Sequence, residues 1–192
     1  MEEQPLENSW TFWEHRRGDG RYYKSNMVDL GTFNTVEGFW RHMNNIRKPS
    51  EIFTCSENGR RKFPDRIIEG YAMFKKGIRP EWEDKSNMNG CDLSCKQYFD
   101  LKELDDIYEK LLLGSIGEIC DDGDNISGIR VIDKCKKLKH EYKYLYRVEI
   151  WFKHRSPKIA DKIKDRFNEI LGKELKYEYS SHQQSIKNNY NF

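Results

Sequence analysis

Residues Gly77–Asp84 (GIRPEWED) place an indole beside a carboxylate in a segment stiffened by proline. Pro80 fixes its own φ and biases the residue before it away from the helical region. An indole face attracts a delocalised cation, and a carboxylate accepts two parallel N–H donors. Trp82 and Glu83 therefore suit a flat, electron-poor ring with two N–H groups on one edge, such as guanine methylated on N7. The alternative is a tryptophan that packs a loop, with Glu83 and Asp84 as solvent-facing charges.

The composition is that of a single, rather polar globular domain. A chain of 192 residues buries roughly 70% of its unfolded surface, and hydrophobic and charged residues make up 36% and 34% of this one. The net charge of +2 argues against broad adhesion to a nucleic-acid backbone, so a bound polynucleotide would be held at a small site. The aromatic content of 14% is generous, and ring-binding sites draw on such residues.

The sequence gives no indication of a membrane, a secretory route, a metal or a cofactor. No apolar run approaches the ~18 residues of a membrane span, and the N-terminus has no signal-peptide pattern. The five cysteines are odd in number, and Cys91 and Cys95 lack a second pair at zinc spacing, which favours reduced thiols in a reducing compartment. The acidic turn 121–125 is too short for a calcium loop.

Periodicity and end signals predict three amphipathic helices. They are expected over 35–45, from 101 to about 114, and from 157 to 171. Asn34 and Asp100 each stand three residues before a glutamate, as in a capping box. Ser156 with Pro157 opens the last helix, and Gly172 ends it.

Alternating runs predict the strands of a mostly antiparallel sheet. They cover residues 9–14, 71–76, 93–99, 126–133, 145–153 and 176–180, and residues 21–33 are partly strand. We expect a polar leader over 1–8, a loop insertion over 50–70 and a mobile tail over 183–192. The helices must bury their apolar stripes on one face of the sheet, so the fold class is α+β in one domain, and the other face is left for a site.

Five motifs, in this order, resemble the translation initiation factor 4E family. They are Trp10-x-x-Trp13 and the segments 33–40, 77–84, 116–118 and 150–151. The resemblance covers nearly the whole chain. It implies a cupped antiparallel sheet with three helices on its convex back, in a cytoplasmic, monomeric protein that binds the 7-methylguanosine cap of mRNA without catalysis or a cofactor.

The resemblance also implies the roles of individual residues. Trp82 corresponds to one of the family's two stacking indoles. Glu83 corresponds to the carboxylate that binds the guanine edge, and Trp151 corresponds to a third tryptophan that contacts the N7 methyl. Lys134 and Arg147 correspond to the family's phosphate-binding residues, and Lys187 in the tail is a further candidate for phosphate binding.

Several positions depart from the family pattern. The second stacking residue is normally tryptophan, and alignment places Tyr23 there, with Tyr22 as the fallback. Lys134 and Arg147 exchange the family's Arg and Lys, which keeps the charge but alters the geometry of phosphate binding. Asp92 replaces an arginine, and the loop 135–146 is several residues longer than usual.

The resemblance places a partner surface on the helical back. Family partners dock an amphipathic helix there, and the expected patch comprises Pro5, Val36, Trp40, Leu113 and Lys110. Lys110 stands where the family carries a glutamate, so the charge offered to the partner is inverted. Val36 and Trp40 would otherwise be core residues. Two alternatives to an initiation factor remain: a cap-binding repressor of the same fold, and an enzyme acting on a nucleotide.

Overall fold

The structure is a computed structural model that describes residues 3–18, 26–53, 61–121, 123–139 and 141–190. Its elements are β1 (Pro5–Arg16), β2 (Met27–Thr35), α1 (Val36–Met43), α2 (Pro49–Ile52), β3 (Ile68–Lys75), β4 (Cys91–Gln97), α3 (Leu101–Ile116), β5 (Ile126–Asp133), β6 (Lys136–Lys137), β7 (Tyr142–Lys143), β8 (Tyr146–Phe152), α4 (Pro157–Leu171), β9 (Glu178–Ser181) and α5 (His182–Tyr190).

Seven strands form one curved antiparallel sheet in the order β2-β1-β3-β5-β8-β4-β9, and β6 and β7 form a separate hairpin. The α+β class is confirmed. Five helices are described in place of the three expected, because the short α2 and the C-terminal α5 are additional.

The two faces of the sheet carry different side chains. The main hydrophobic core lies on the helix-covered face and includes Trp10, Phe12 and Phe39, all fully buried as predicted. A smaller cluster lies on the opposite face, here called the open face. It comprises Trp13, Met27, Ala72, Phe74, Ile78 and Trp151, with Trp82 packed against it. Alternation along the strands produces this division, because successive side chains point to opposite faces.

The ends of the long helices were predictable except for one cap. The carboxylate of Asp100 accepts hydrogen bonds from the backbone of α3, Ser156 caps α4, and Gly172 ends α4 in the left-handed region at φ 67°. The capping box at Asn34 was wrong. Thr35 caps α1 by accepting from the Gly38 amide at 3.0 Å.

Both chain ends contain more regular structure than the sequence indicated. The leader expected over 1–8 was wrong from Pro5 onward, since β1 begins there and pairs with β2. The expected tail contains α5, which begins at the fully buried His182, and its mobility stays a prediction. Each segment is held by partners distant in the chain, which local patterns do not reveal.

Two general features bear on the class of protein. Within the described ranges, no helix is both long enough and apolar enough to span a bilayer. In the acidic turn, Asp121 accepts hydrogen bonds from Asn125 and from the Ile126 amide, so its carboxylate organises the start of β5. The described side chains contain no group of three or more His, Cys, Asp or Glu arranged to hold a metal ion.

Candidate ligand-binding site

The loop between β3 and β4 is held in shape by two polar side chains. The carboxylate of Asp84 accepts from the amides of Arg79 and Ser86, at 3.0 and 2.8 Å. The Asn87 side chain donates to the carbonyls of Arg79 and Glu81, at 2.8 and 3.0 Å. Asp84 is therefore part of the loop framework. For Glu83, the adjacent acid of this loop, ligand recognition stays a prediction.

Trp82 lies on the open face, nearly parallel to Trp151. The ring centroids are 6.4 Å apart and the planes differ by 10°. Carbon atoms pack at about 3.5–4.0 Å, so a ring inserted between two others needs roughly 7 Å. A flat ligand therefore does not fit between these indoles as they stand. A ligand that stacks on Trp82 must therefore use the face turned away from Trp151.

Trp151 forms the floor beneath Trp82. It is 1% exposed, its ring meets Phe74 edge-on at 5.3 Å, and the ring of His182 lies 4.4 Å away. A Cβ at Gly128, opposite Trp151 in β5, would lie 2.4 Å from the Phe74 ring, so glycine is needed for this packing. Contact between Trp151 and a ligand requires Trp82 to move.

A buried carboxylate links the floor to a group of cations. Glu149 is 2% exposed and accepts from the indole Nε1 of Trp151 at 2.9 Å. It is ion-paired with Arg147, and the Nη1 of Arg130 lies 3.8 Å from its Oε2. Burial alone would raise the pKa of Glu149, but Arg147 and Arg130 hold it below its ordinary value. The carboxylate therefore remains charged.

Strand register explains this grouping. In the β5–β8 ladder Arg130 is paired with Glu149. Arg147 lies two residues before Glu149 on β8, so its side chain is on the same face as that of Glu149. On its other side, the guanidinium of Arg130 is 3.2 Å from the Nδ1 of His15. The charges form a row across the open face, below the aromatic layer.

The two predicted phosphate ligands lie close to each other. Lys134 directly follows β5, and its pKa is lowered to about 8 by burial and by the charges of Arg147 and Arg130. Part of the charge of Arg147 is offset by Glu149. An anion bound between Lys134 and Arg147 would relieve the repulsion that lowers the Lys134 pKa.

A second polar group fixes the far end of the loop. The buried His182 makes a hydrogen bond through Nδ1 to the Asn87 carbonyl at 2.7 Å, and its Nε2 lies 3.4 Å from Asp92. Burial raises the pKa of Asp92, and the hydrogen bond with His182 opposes that rise. Asp92 pairs with Trp151 in the β4–β8 ladder. The start of α5 thereby connects the loop to the floor.

The structure thus brings together some predicted residues and reveals others. Trp82 and Trp151 belong to one layer and Glu83 follows Trp82 in the loop, while Tyr23 and its fallback Tyr22 lie outside the described residues. Lys187 is exposed on α5 and makes no hydrogen bond or ion pair with another described residue. Sequence reasoning missed Glu149, Arg130, Asn87 and His182. Charged residues at inward positions of strands were the available signal for the first two.

The predicted partner surface lies on the helical back. Val36 and Trp40 on α1 are 37% and 38% exposed, and Leu113 on α3 is half-buried against the core. Pro5 is exposed beside the start of α1, where the Gln4 carbonyl accepts from the Val36 amide. Lys110 forms a 2.9 Å ion pair with Asp106 one turn earlier.

Comparisons with known proteins agree with this architecture. The chain is 32% identical over 188 residues to eukaryotic translation initiation factor 4E-2 of Schizosaccharomyces pombe, covering 95% of this chain and 69% of that protein. It is 28% identical over 193 residues to factor 4E1 of Drosophila melanogaster, of which it spans 64%, with 95% of this chain covered.

Solved structures share the fold. The complex of C. elegans eIF4E-3 with the 4E-binding protein Mextli and cap analog matches with a TM-score of 0.75 at 24% identity, over 97% of this chain and 96% of that one. Ascaris suum eIF4E-3 with m2,2,7G cap matches with a TM-score of 0.71 at 23% identity, over 92% and 91%. The model of the family described as eukaryotic initiation factor 4E matches residues 5–192. The chain belongs to that family.

Proposed function

We propose that this protein binds the 7-methylguanosine cap of mRNA and acts in translation initiation, in the cytoplasm and as a monomer. The observation that carries the proposal is the layer formed by Trp82 over Trp151. Of the proteins named above, eIF4E-3 of C. elegans forms a complex with cap analog and eIF4E-3 of Ascaris suum a complex with m2,2,7G cap. The proposed function is recognition of the cap, with no catalytic step.

The base is held by one ring face and one carboxylate. Methylation of guanine at N7 makes the ring cationic, and the outer face of Trp82 attracts such a cation. Glu83 accepts the N1 and N2 protons in bidentate fashion. Tyr23 supplies the second ring, which completes the stack. Trp151 supports Trp82 from below and reaches the methyl group when Trp82 shifts outward.

The phosphates extend toward the cations. Lys134 and Arg147 receive them, and Lys187 on α5 assists. Since Glu149 offsets part of the Arg147 charge, phosphate binding draws more on Lys134 than on Arg147. The ion pair with Glu149 orients the guanidinium of Arg147, so this side chain loses less conformational freedom when the ligand binds.

The helical back receives an amphipathic helix from a scaffold or regulator protein. Exposed apolar side chains at Val36 and Trp40, one turn apart on α1, support this assignment, because contiguous exposed apolar patches mark protein interaction sites. In the relatives, eIF4E-3 of C. elegans forms a complex with the 4E-binding protein Mextli. Lys110 changes which partner fits, as argued below.

Retention on 7-methylguanosine resin tests the proposal. The protein should bind the resin, elute with cap analogue and remain bound in plain GTP. Trp82→Ala should not be retained, whereas the control Trp40→Ala, which removes an exposed indole from the helical back, should behave as wild type. Failure of wild type to bind, or elution by both nucleotides alike, would refute the proposal. Release of a cleaved product from the cap analogue would instead favour an enzyme.

A further inference from the structure

The long loop that follows β5 concentrates the positive charge of the chain. Residues 134–143 contain five lysines and one glutamate, a net charge of +4 with His140 counted as neutral. The whole chain carries +2, so the remaining residues are net negative. Nothing in the binding of the cap base or its phosphates requires four lysines beyond Lys134.

Hairpin geometry brings these lysines together. Lys136 lies directly opposite Lys143 in the β6–β7 pair, and Lys137 lies opposite Tyr142. Like charges that face each other across two strands are destabilising. Lys136, Lys137, Lys139 and Lys143 are all exposed, and none of them forms an ion pair with any residue that the structure describes. A polyanion bound along the hairpin would offset this repulsion.

An aromatic cavity adjoins the hairpin. It has a volume of about 290 Å³ and is lined by Tyr98, Phe99, Asp100, Leu101, Tyr144 and Tyr146. Tyr144 directly follows β7, so the hairpin leads into the cavity wall. Phe99 and Tyr146 are buried at its base, whereas Tyr98 is 66% exposed at its rim.

The cavity suits a neutral ring better than a phosphate. Asp100 is one of its lining residues and its carboxylate caps α3, so a negative charge is already nearby. Tyrosine rings offer faces on which any nucleobase can stack. Adjacent lysines supply the attraction for a phosphate backbone. The tyrosine rings of the cavity therefore match the base of a nucleotide, and the lysines of the adjacent hairpin match its phosphate.

The cavity and the candidate cap site meet at one end of the sheet. Tyr146 pairs with Gln97 where β4 ends, and the next residue, Arg147, pairs with Lys96. Lys134 stands at the same end, and its amide donates to the Leu145 carbonyl at 2.9 Å. A chain that leaves phosphates at Lys134 and Arg147 therefore emerges beside the hairpin.

We propose that the β6–β7 hairpin and the Tyr98–Tyr144 cavity bind the nucleotides that follow the cap in single-stranded RNA. Lys136 and Lys143, which face each other across the hairpin, contact the phosphates, and a base stacks against Tyr98. This inference rests on the proposed cap binding, because the cap determines where the RNA enters. It extends the site from one nucleotide to a short segment of the message.

The test compares a cap analogue, m7GTP, with a capped oligoribonucleotide of about five nucleotides. Wild type should bind the oligonucleotide more tightly. Tyr98→Ala should weaken oligonucleotide binding by about fivefold or more, from the stacking contribution of one base. Tyr98→Phe keeps the ring and should bind as wild type. Affinity for m7GTP should be unchanged in both variants.

The charge contribution is measured by salt dependence. Lys136→Gln with Lys143→Gln should reduce the slope of log affinity on log salt by about 1.4 for the oligonucleotide, since each phosphate contact on a single strand contributes roughly 0.7. Lys158→Gln with Lys162→Gln on α4 removes the same charge from the helical back and should leave the slope unchanged.

Each outcome has a distinct meaning. If wild type fails to bind m7GTP, the proposed function is wrong and this inference falls with it. If m7GTP binds but the oligonucleotide binds no better, or if Tyr98→Ala has no effect, cap binding stands and the inference is overturned. Displacement of the oligonucleotide by an equal concentration of oligoglutamate would also overturn it, in favour of an acidic peptide as the occupant.

Discussion

The indole Nε1 of Trp151 donates a 2.9 Å hydrogen bond to the Oε2 of Glu149, so the floor of the aromatic layer is fixed by the carboxylate that also holds Arg147. One buried side chain thereby connects the part of the site proposed to contact the base with the part proposed to contact phosphate. Replacement of Glu149 is expected to affect stability and phosphate binding together.

Glu149→Gln keeps an acceptor for Trp151 but leaves two guanidinium groups without their counter-charge. Breaking a buried ion pair costs about 3–5 kcal/mol, so thermal unfolding should begin at a clearly lower temperature. The folded-state pKa of Glu149 is depressed, so its contribution is fully present above the unfolded value and is lost as pH falls through the folded value. The variant should therefore lose less stability than wild type on acidification.

Exposed Glu174→Gln is the control for this experiment, and its melting temperature should match wild type at each pH. The prediction fails if Glu149→Gln melts as wild type does at neutral pH. An unchanged melting temperature would mean that solvent compensates the charge of Glu149 in place of Arg147 and Arg130.

Affinity for phosphorylated cap analogues should fall at alkaline pH because of Lys134. Its pKa is lowered to about 8, so the free protein loses this cation as pH rises through that value. Lys134→Arg keeps a charge throughout, since arginine is not deprotonated in proteins. Titration of m7GTP into both proteins between about pH 7 and about pH 9 should give a steeper fall for wild type. Deprotonation of the ligand affects both proteins equally, and parallel curves would exclude Lys134 from the phosphate site.

Tyr23→Trp should tighten cap binding. An indole covers more of the purine than a phenol does, and cation–π magnitudes suggest a gain of about 0.5–1 kcal/mol. Fluorescence quenching by m7GTP measures the change, with Tyr22→Trp as the matched variant. If Tyr22→Trp gives the gain and Tyr23→Trp does not, the fallback assignment is correct.

Lys110 should weaken docking of an ordinary family partner that carries a basic residue at this contact. Like charges at an interface disfavour the wrong partner. The ion pair with Asp106 offsets part of this repulsion, so the effect is expected mainly at low salt. Lys110→Glu should improve binding of such a peptide in calorimetry. Lys102→Glu, the same charge reversal at the other end of α3, should not.

Tight binding of that peptide to wild type, with no change in Lys110→Glu, would show that the peptide docks elsewhere. Weak binding relieved by the substitution would support a role distinct from that of an ordinary initiation factor, such as a repressor with its own partner.

Features encoded locally were predictable from the sequence, and features that join distant segments were not. Alternation placed Trp10 and Phe12 in the core, and the caps at Asp100 and Ser156 depend on residues within one turn. The cap of α1 was misassigned because the Glu37 carboxylate accepts from the amide of Gln4, 33 residues away.

The same distinction separates the predicted and missed parts of the site. Trp82 and Glu83 lie in one short loop, and its composition predicts a ring-binding chemistry. The hydrogen bond from His182 to the Asn87 carbonyl spans 95 residues and fixes a segment that composition alone marks as a tail. The pairing of Arg130 with Glu149 depends on the register between β5 and β8. The hydrophobic pattern predicts which face of the sheet each side chain is on, but it does not predict which residues of two strands lie opposite each other.

The most direct test of the central claim is the affinity of Glu83→Gln for m7GTP and for GTP, measured by equilibrium titration beside wild type. Glutamine keeps the shape of the side chain but accepts one guanine N–H poorly, and loss of the charged acceptor should cost about 2–4 kcal/mol. Exposed Glu178→Gln should bind as wild type. Wild type should prefer m7GTP strongly, and Glu83→Gln should bind m7GTP far more weakly while melting at the same temperature. Equal affinity of wild type and Glu83→Gln for m7GTP would contradict the assignment of this loop as the cap-binding site.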